Sequence, residues 1–136
     1  MGTRGSAYFE IAESNDVDLV GKIGIRWDAY PEGFGYNVCE VLAGVYVGKP
    51  PQESADAKSF KNIERVILDL LDFPSDFLED EYVYRFTFTP PKDACNYLVE
   101  DIVTVEVKHY KETLFTGSFK EFKKLCDYEG EAREDV

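Results

Sequence analysis

Residues 82–89 alternate without a break, with Tyr82, Tyr84, Phe86 and Phe88 set against Val83, Arg85, Thr87 and Thr89. A period of two with β-branched and aromatic residues is the mark of a strand that buries one face. Residues 102–109 repeat the pattern, with Val103, Val105, Val107 and His109 in phase. Two such strands commit the chain to a sheet whose apolar side must be covered. The rest of the sequence must therefore supply both further strands and the cover.

Further strands are expected at 6–12, where Ala7, Phe9 and Ile11 alternate with Tyr8 and Glu10, and at 19–28, where Gly21, Ile23, Ile25 and Trp27 share a face. The turn chemistry of Glu13 to Asp18 joins them as an antiparallel pair. Thr113 to Thr116 is expected to add a short strand. The cover comes from helices. Phe60, Ile63, Ile67, Leu70 and Leu71 recur at helical spacing, with Ser59 placed to cap them and Pro74 beyond. Ser118 and Glu121 stand at the S-x-x-E spacing of a capping box, ahead of Phe119, Phe122, Leu125 and Cys126. Residues 36–47 are almost wholly apolar. Periodicity alone does not separate helix from strand there, and the length of the run, with Gly48, Pro50 and Pro51 as a stop, predicts a helix.

The expected order is β-β-α-α-β-β-(β)-α, an α+β fold in which an antiparallel sheet carries helices on one face. With 136 residues, one globular domain spanning 1–126 is expected, followed by an acidic tail over 127–136. No apolar run approaches the about 18 to 20 residues that cross a bilayer, and Met1 to Ser6 has no apolar segment of the signal-peptide kind. A cytoplasmic setting is therefore expected. An odd number of cysteines (Cys39, Cys95 and Cys126) with no C-x-x-C pair agrees with it.

Charge narrows the function classes. The chain carries 27 acidic and 15 basic side chains, a net charge of −12. Such a balance opposes direct binding of nucleic acid and of anionic membranes. Catalytic motifs are also missing. There is a single histidine, His109, in phase with valines, where a satisfied or edge imidazole is expected. No nucleophile elbow, P-loop or zinc-ligand spacing occurs. Asp76, Glu79, Asp80 and Glu81 are oxygen donors, but they match no calcium-loop spacing and read as a solvated acidic face. The expectation is a binding protein with no catalytic residue, no metal and no cofactor. An acidic surface rich in tyrosine suits capture of a protein with a basic surface. The same acidity also serves solubility.

The most unusual local segment runs from Arg26 to Gly35. A strand ends on Trp27-Asp28. Pro31, Gly33 and Gly35 then swing the chain toward the expected helix. The candidate binding residues are Arg4, Arg26, Trp27, Asp28, Tyr30, Glu32, Gly33 and Phe34. Pairing of the first two strands would bring Arg4, Lys22 and Arg26 together. Backbone amides at the helix start could hold an anion, which makes a nucleotide-like ligand a second candidate partner. A purely structural reading has Asp28 or Glu32 capping the helix.

These residues carry a resemblance. Met1-Gly-Thr-Arg-Gly5 followed by Trp27-Asp-Ala-Tyr-Pro-Glu-Gly-Phe-Gly35 is similar to a family of small uncharacterised phage and prophage proteins. Those open with G-T-R-G and carry a (W/F/Y)-D-x-Y-P-x-G-x-G segment after an early strand. The shared motifs cover little more than a tenth of the chain. Ala29 stands where the family often has Gly or Ser, and the strong acidity is a further departure. The resemblance implies a mobile genetic element acting inside a bacterial host cell, and no catalytic residue is carried over with it. The combined expectation is a small acidic protein that occupies a host target, such as a nuclease or a defence system. An immunity protein against a basic toxin nuclease is a variant with the same physics.

Overall fold

The computed structural model describes residues 3–13, 16–25, 27–48, 58–60, 62–70, 81–92 and 96–128. Its elements in chain order are β1 (Gly5–Glu13), β2 (Asp16–Ile25), a π-type turn (Pro31–Gly35), α1 (Tyr36–Leu42), β3 (Val45–Val47), β4 (Lys58–Phe60), α2 (Ile63–Leu70), β5 (Tyr82–Phe88), β6 (Tyr97–Leu98), a 3-10 turn (Val99–Asp101), β7 (Val103–His109), β8 (Glu112–Ser118) and α3 (Phe119–Leu125). The class is α+β. The main sheet has the order β2-β1-β5-β7-β8, and three short strands form a second sheet ordered β4-β3-β6.

The main sheet is mostly antiparallel, as expected, but β1 and β5 run parallel. The reason is topological. The chain between them passes through α1 and α2, and a crossover through helices returns a strand in its original direction. Alternation then sorts the side chains. Ala7, Phe9, Ile11, Tyr84, Phe86, Phe88, Val103, Val105 and Val107 are buried on the face that carries the helices. Phe9 stacks on Phe86 at 5.2 Å, and Phe122 of α3 meets Phe86 edge-on at 5.6 Å. The intervening residues, such as Tyr8, Glu10, Arg85, Thr87, Thr104 and Glu106, lie half-buried or exposed on the opposite face.

Several local expectations change. The apolar run 36–47 is helical only through Leu42. Gly44 takes a positive φ of 76° and the chain leaves as β3. Glycine after the last helical turn permits that exit, and the β-branched Val45 and Val47 then favour a strand. Ser59 belongs to β4, and the cap of α2 is Asn62, its Oδ1 accepting from the Arg65 amide at 3.1 Å. The second strand spans 16–25, so Trp27 stands beyond it and is not on its face. The short strand expected at 113–116 is the full-length β8. It is joined to β7 by Tyr110 and Lys111, both at positive φ (51° and 73°). That is the backbone of a two-residue hairpin, made here without its usual Asn or Gly. The capping box of α3 is present: the Glu121 amide donates to Ser118 Oγ at 3.2 Å, and the Ser118 amide donates to Glu121 Oε1 at 3.0 Å. The readings made for Arg26, Leu71, Pro74, Asp76, Glu79, Asp80, Cys95 and the tail from Glu129 lie outside the described residues.

Candidate functional site

One end of the main sheet gathers most of the residues singled out in the sequence. Register places Ile25, Gly5, Tyr82, His109 and Glu112 in one row across β2, β1, β5, β7 and β8. Beyond that row lie the 27–35 turn, Arg4, Glu81 and the Tyr110-Lys111 hairpin.

The turn is tied down from inside. The Ala29 amide donates to the Thr3 carbonyl at 3.0 Å. The Ala29 carbonyl in turn accepts from the buried Tyr84 hydroxyl at 2.5 Å. The amides of Gly33 and Phe34 donate to Tyr30 and Asp28 carbonyls at 2.9 and 2.8 Å. Gly33 lies so close to Asp28 that a β-carbon there would collide with the Asp28 carbonyl and side chain. Gly5 is pressed in the same way between the Tyr82 carbonyl and Ala29. The opening residues and the 27–35 turn are therefore in direct contact, and Gly5 and Gly33 allow that close approach.

This geometry separates the candidate residues into two groups. Phe34 is a core residue, buried against Tyr84 at 5.0 Å, and Gly33 shapes the turn. Trp27, Asp28, Tyr30 and Glu32 face solvent. Trp27 is 67% exposed. Arg4 is exposed beside them. Two expectations for the turn are corrected. Neither Asp28 nor Glu32 caps the helix, because Pro31 takes the first helical position and no side chain bonds there. The amides of Ala29, Gly33 and Phe34 point inward to backbone carbonyls, so these three are not available to cradle an anion.

Tyr110 is the residue that sequence reasoning missed. It is 65% exposed and stands at the same sheet end, its amide donating to the Glu81 carbonyl at 2.9 Å. Nothing in its sequence neighbourhood marks it, since a tyrosine at positive φ gives no turn signal. Behind it, the His109 ring stacks on Tyr82 at 4.5 Å and lies tilted against Tyr110 at 4.6 Å. His109 Nε2 lies 2.9 Å from Glu81 Oε2. The imidazole is thus a half-buried group at the end of an inner strand, held by a carboxylate and two rings. Burial, with the charges of Glu81 and Glu32 nearby, raises the Tyr82 phenol above its ordinary range. It remains a neutral hydrogen-bonding group at physiological pH.

We call the exposed aromatic residues at this end of the sheet, Trp27, Tyr30 and Tyr110, its aromatic lip, and the same segments carry Asp28, Glu32 and Glu81. Three of the four non-glycine residues described at positive φ (Asp28, Tyr110 and Lys111) also lie at this end. Such backbone is costly and persists where its surroundings hold it. Among the described residues no group of three or more His, Cys, Asp or Glu could hold a metal ion, and no helix is long and apolar enough to cross a membrane. No family model, curated protein or solved structure matches the chain.

Proposed function

We propose that this chain is a small binding protein of a phage or other mobile element, which occupies a basic protein of its bacterial host through the aromatic lip. A nuclease or another nucleic-acid-handling part of a defence system fits that chemistry, because such proteins present basic surfaces. One observation carries the reading: Trp27, Tyr30 and Tyr110 are each exposed at the same end of the main sheet, on segments that also carry Asp28, Glu32 and Glu81. Tryptophan and tyrosine are enriched at interface hot spots because they bury much area with little loss of rotamer freedom. The carboxylates around them, and the net charge of −12, would steer a cationic partner and disfavour an acidic one.

The test is affinity capture from bacterial lysate with the whole chain, followed by rebinding of each purified captured protein across a salt series. The expected partner is basic, and its affinity falls as salt rises. Trp27→Ala and Tyr110→Ala, each shown to be folded, should weaken it by at least about tenfold. Partners bound equally by both variants, or binding indifferent to salt, would overturn the reading.

A further inference from the structure

We infer that Cys39 of α1 and Cys126 at the end of α3 form a reversible disulfide with a small-molecule disulfide as oxidant, through an opening of the α3 end, and that the bond fastens α3 to α1. The inference is independent of the aromatic lip and its proposed partner.

The first observation is where the two thiols lie. Both cysteines are free and fully buried. Cys126 is the residue after the last turn of α3, and Cys39 stands one helical turn beyond Gly35, the residue that leads into α1. A β-carbon added at Gly35 would collide with Cys126 Sγ, so the Cys126 side chain lies directly against the Gly35 backbone. Helical residues four apart have β-carbons about 5–6 Å apart, and their side chains lean toward the N-terminus. The Cys39 thiol therefore leans back over Gly35, toward the Cys126 sulfur. A hydrogen bond joins the two thiols. Glycine at 35 leaves the room for this meeting, since alanine would take the place of the Cys126 sulfur.

The second observation is that the product needs no new space. A disulfide between neighbouring thiols adds no atom to the interior and removes two hydrogens. A filled core is therefore no obstacle to it. The bond also closes a loop that takes in most of the chain, the case in which a cross-link most restricts the unfolded state.

The third observation is how the α3 end is held. Burial and the Cys39 hydrogen bond keep the Cys126 thiol protonated, so the closed form is unreactive. Among the described residues, the amides of Cys126, Asp127 and Tyr128 donate to the Phe122, Lys124 and Lys123 carbonyls at 3.0, 3.1 and 2.9 Å. The Tyr128 ring meets Tyr36 of α1 edge-on at 5.1 Å. Asp127 sits at a positive φ of 57°. Few contacts hold such an element end, which opens far more often than the sheet core.

On opening, Cys126 gives its proton to water and its thiolate attacks one sulfur of the oxidant, whose other half leaves as a thiolate and takes up a proton. Cys39 then loses its proton and attacks the Cys126 sulfur, expelling the second small thiol. Two electrons pass from the cysteines to the oxidant, and the two thiols released carry the two protons. A mixed disulfide is too bulky for the filled space against Gly35, so reclosure favours its displacement by Cys39. A reducing cell keeps the pair as thiols, and a rise in disulfide oxidant closes it.

The experiment treats the whole chain with oxidised glutathione at neutral pH, blocks remaining thiols with N-ethylmaleimide, and reads intact mass and non-reduced peptides. The expected product has lost two hydrogens, retains no glutathione, and links the Cys39 peptide to the Cys126 peptide. Dithiothreitol should reverse it fully, and the oxidised chain should melt at a higher temperature. Cys95→Ser should give the same product, whereas Cys39→Ser should retain one glutathione at Cys126. Tyr128→Ala, shown to be folded, should speed oxidation about two- to tenfold, the change that losing one aromatic pair allows. A cross-link through Cys95, a mixed disulfide that persists in the unsubstituted chain, an oxidised form that melts no higher than the reduced one, a rate unmoved by Tyr128→Ala, or no oxidation of either chain overturns the inference.

Discussion

The Ala29 amide donates to the carbonyl of Thr3 at 3.0 Å, so the opening residues and the 27–35 turn are joined. Tyr84 closes the arrangement from beneath by donating to the Ala29 carbonyl. The exposed Trp27 and Tyr30 are thus mounted on backbone that the core itself positions.

Gly33→Ala should destabilise the chain. The new β-carbon would meet the Asp28 carbonyl and Cβ, which are backbone and near-backbone atoms that cannot swing aside. Overpacking of this kind costs about 1–3 kcal/mol. Chemical denaturation should show a lower midpoint with little change in slope.

Tyr84→Phe removes one oxygen atom but leaves the Ala29 carbonyl without its buried donor. The expected loss is about 1–3 kcal/mol, because a buried acceptor left unpaired bears its full desolvation penalty. Amide hydrogen exchange at Ala29 and Phe34 should quicken more than exchange in β7. Uniform quickening would argue against a local role.

Lys111→Gly should raise stability. Lys111 sits at φ 73° in the β7–β8 hairpin, a conformation that costs a side-chain-bearing residue about 1–2 kcal/mol and costs glycine little. Part of that gain is offset by the greater freedom of glycine in the unfolded chain, so a net rise of about 0.5–1 kcal/mol is expected. Partner binding should be unaffected, which separates this change from Tyr110→Ala.

Stability should fall at alkaline pH. A hydrogen bond with Cys39, together with burial, pushes the Cys126 thiol far above its ordinary value of 9.0. Burial, with smaller contributions from Cys126, Tyr82 and Glu32, does the same to the Tyr84 phenol, ordinarily at 10.0. Both groups keep their protons when folded, whereas the unfolded chain releases them. The stability is therefore complete below the unfolded values and is lost as pH rises, first above 9.0 and then above 10.0. Above pH 10, Tyr84 alone contributes a slope of about 1.4 kcal/mol per pH unit. Denaturation midpoints measured from pH 7 to 11 check this, and Cys126→Ala should remove the first part of the decline.

What the sequence determined by itself was the set of elements whose pattern is local. The alternation at 82–89 and 102–109, the spacing of Ile63, Ile67 and Leu70, and the Ser118–Glu121 box each depend on residues a few positions apart, and each appears in the fold. The α+β class follows from them. The tertiary structure alone decided the parallel pairing of β1 with β5, the exit of the 36–47 run into β3, and which side chains of the 27–35 turn are exposed. Phe34 and Tyr30 look alike in sequence, and only the position of Tyr84 makes one core and leaves the other on the surface. The lip arises the same way: the Tyr110 hairpin, Glu81 and the 27–35 turn come to one end of the sheet through the order and register of its strands, a long-range property that no local pattern encodes.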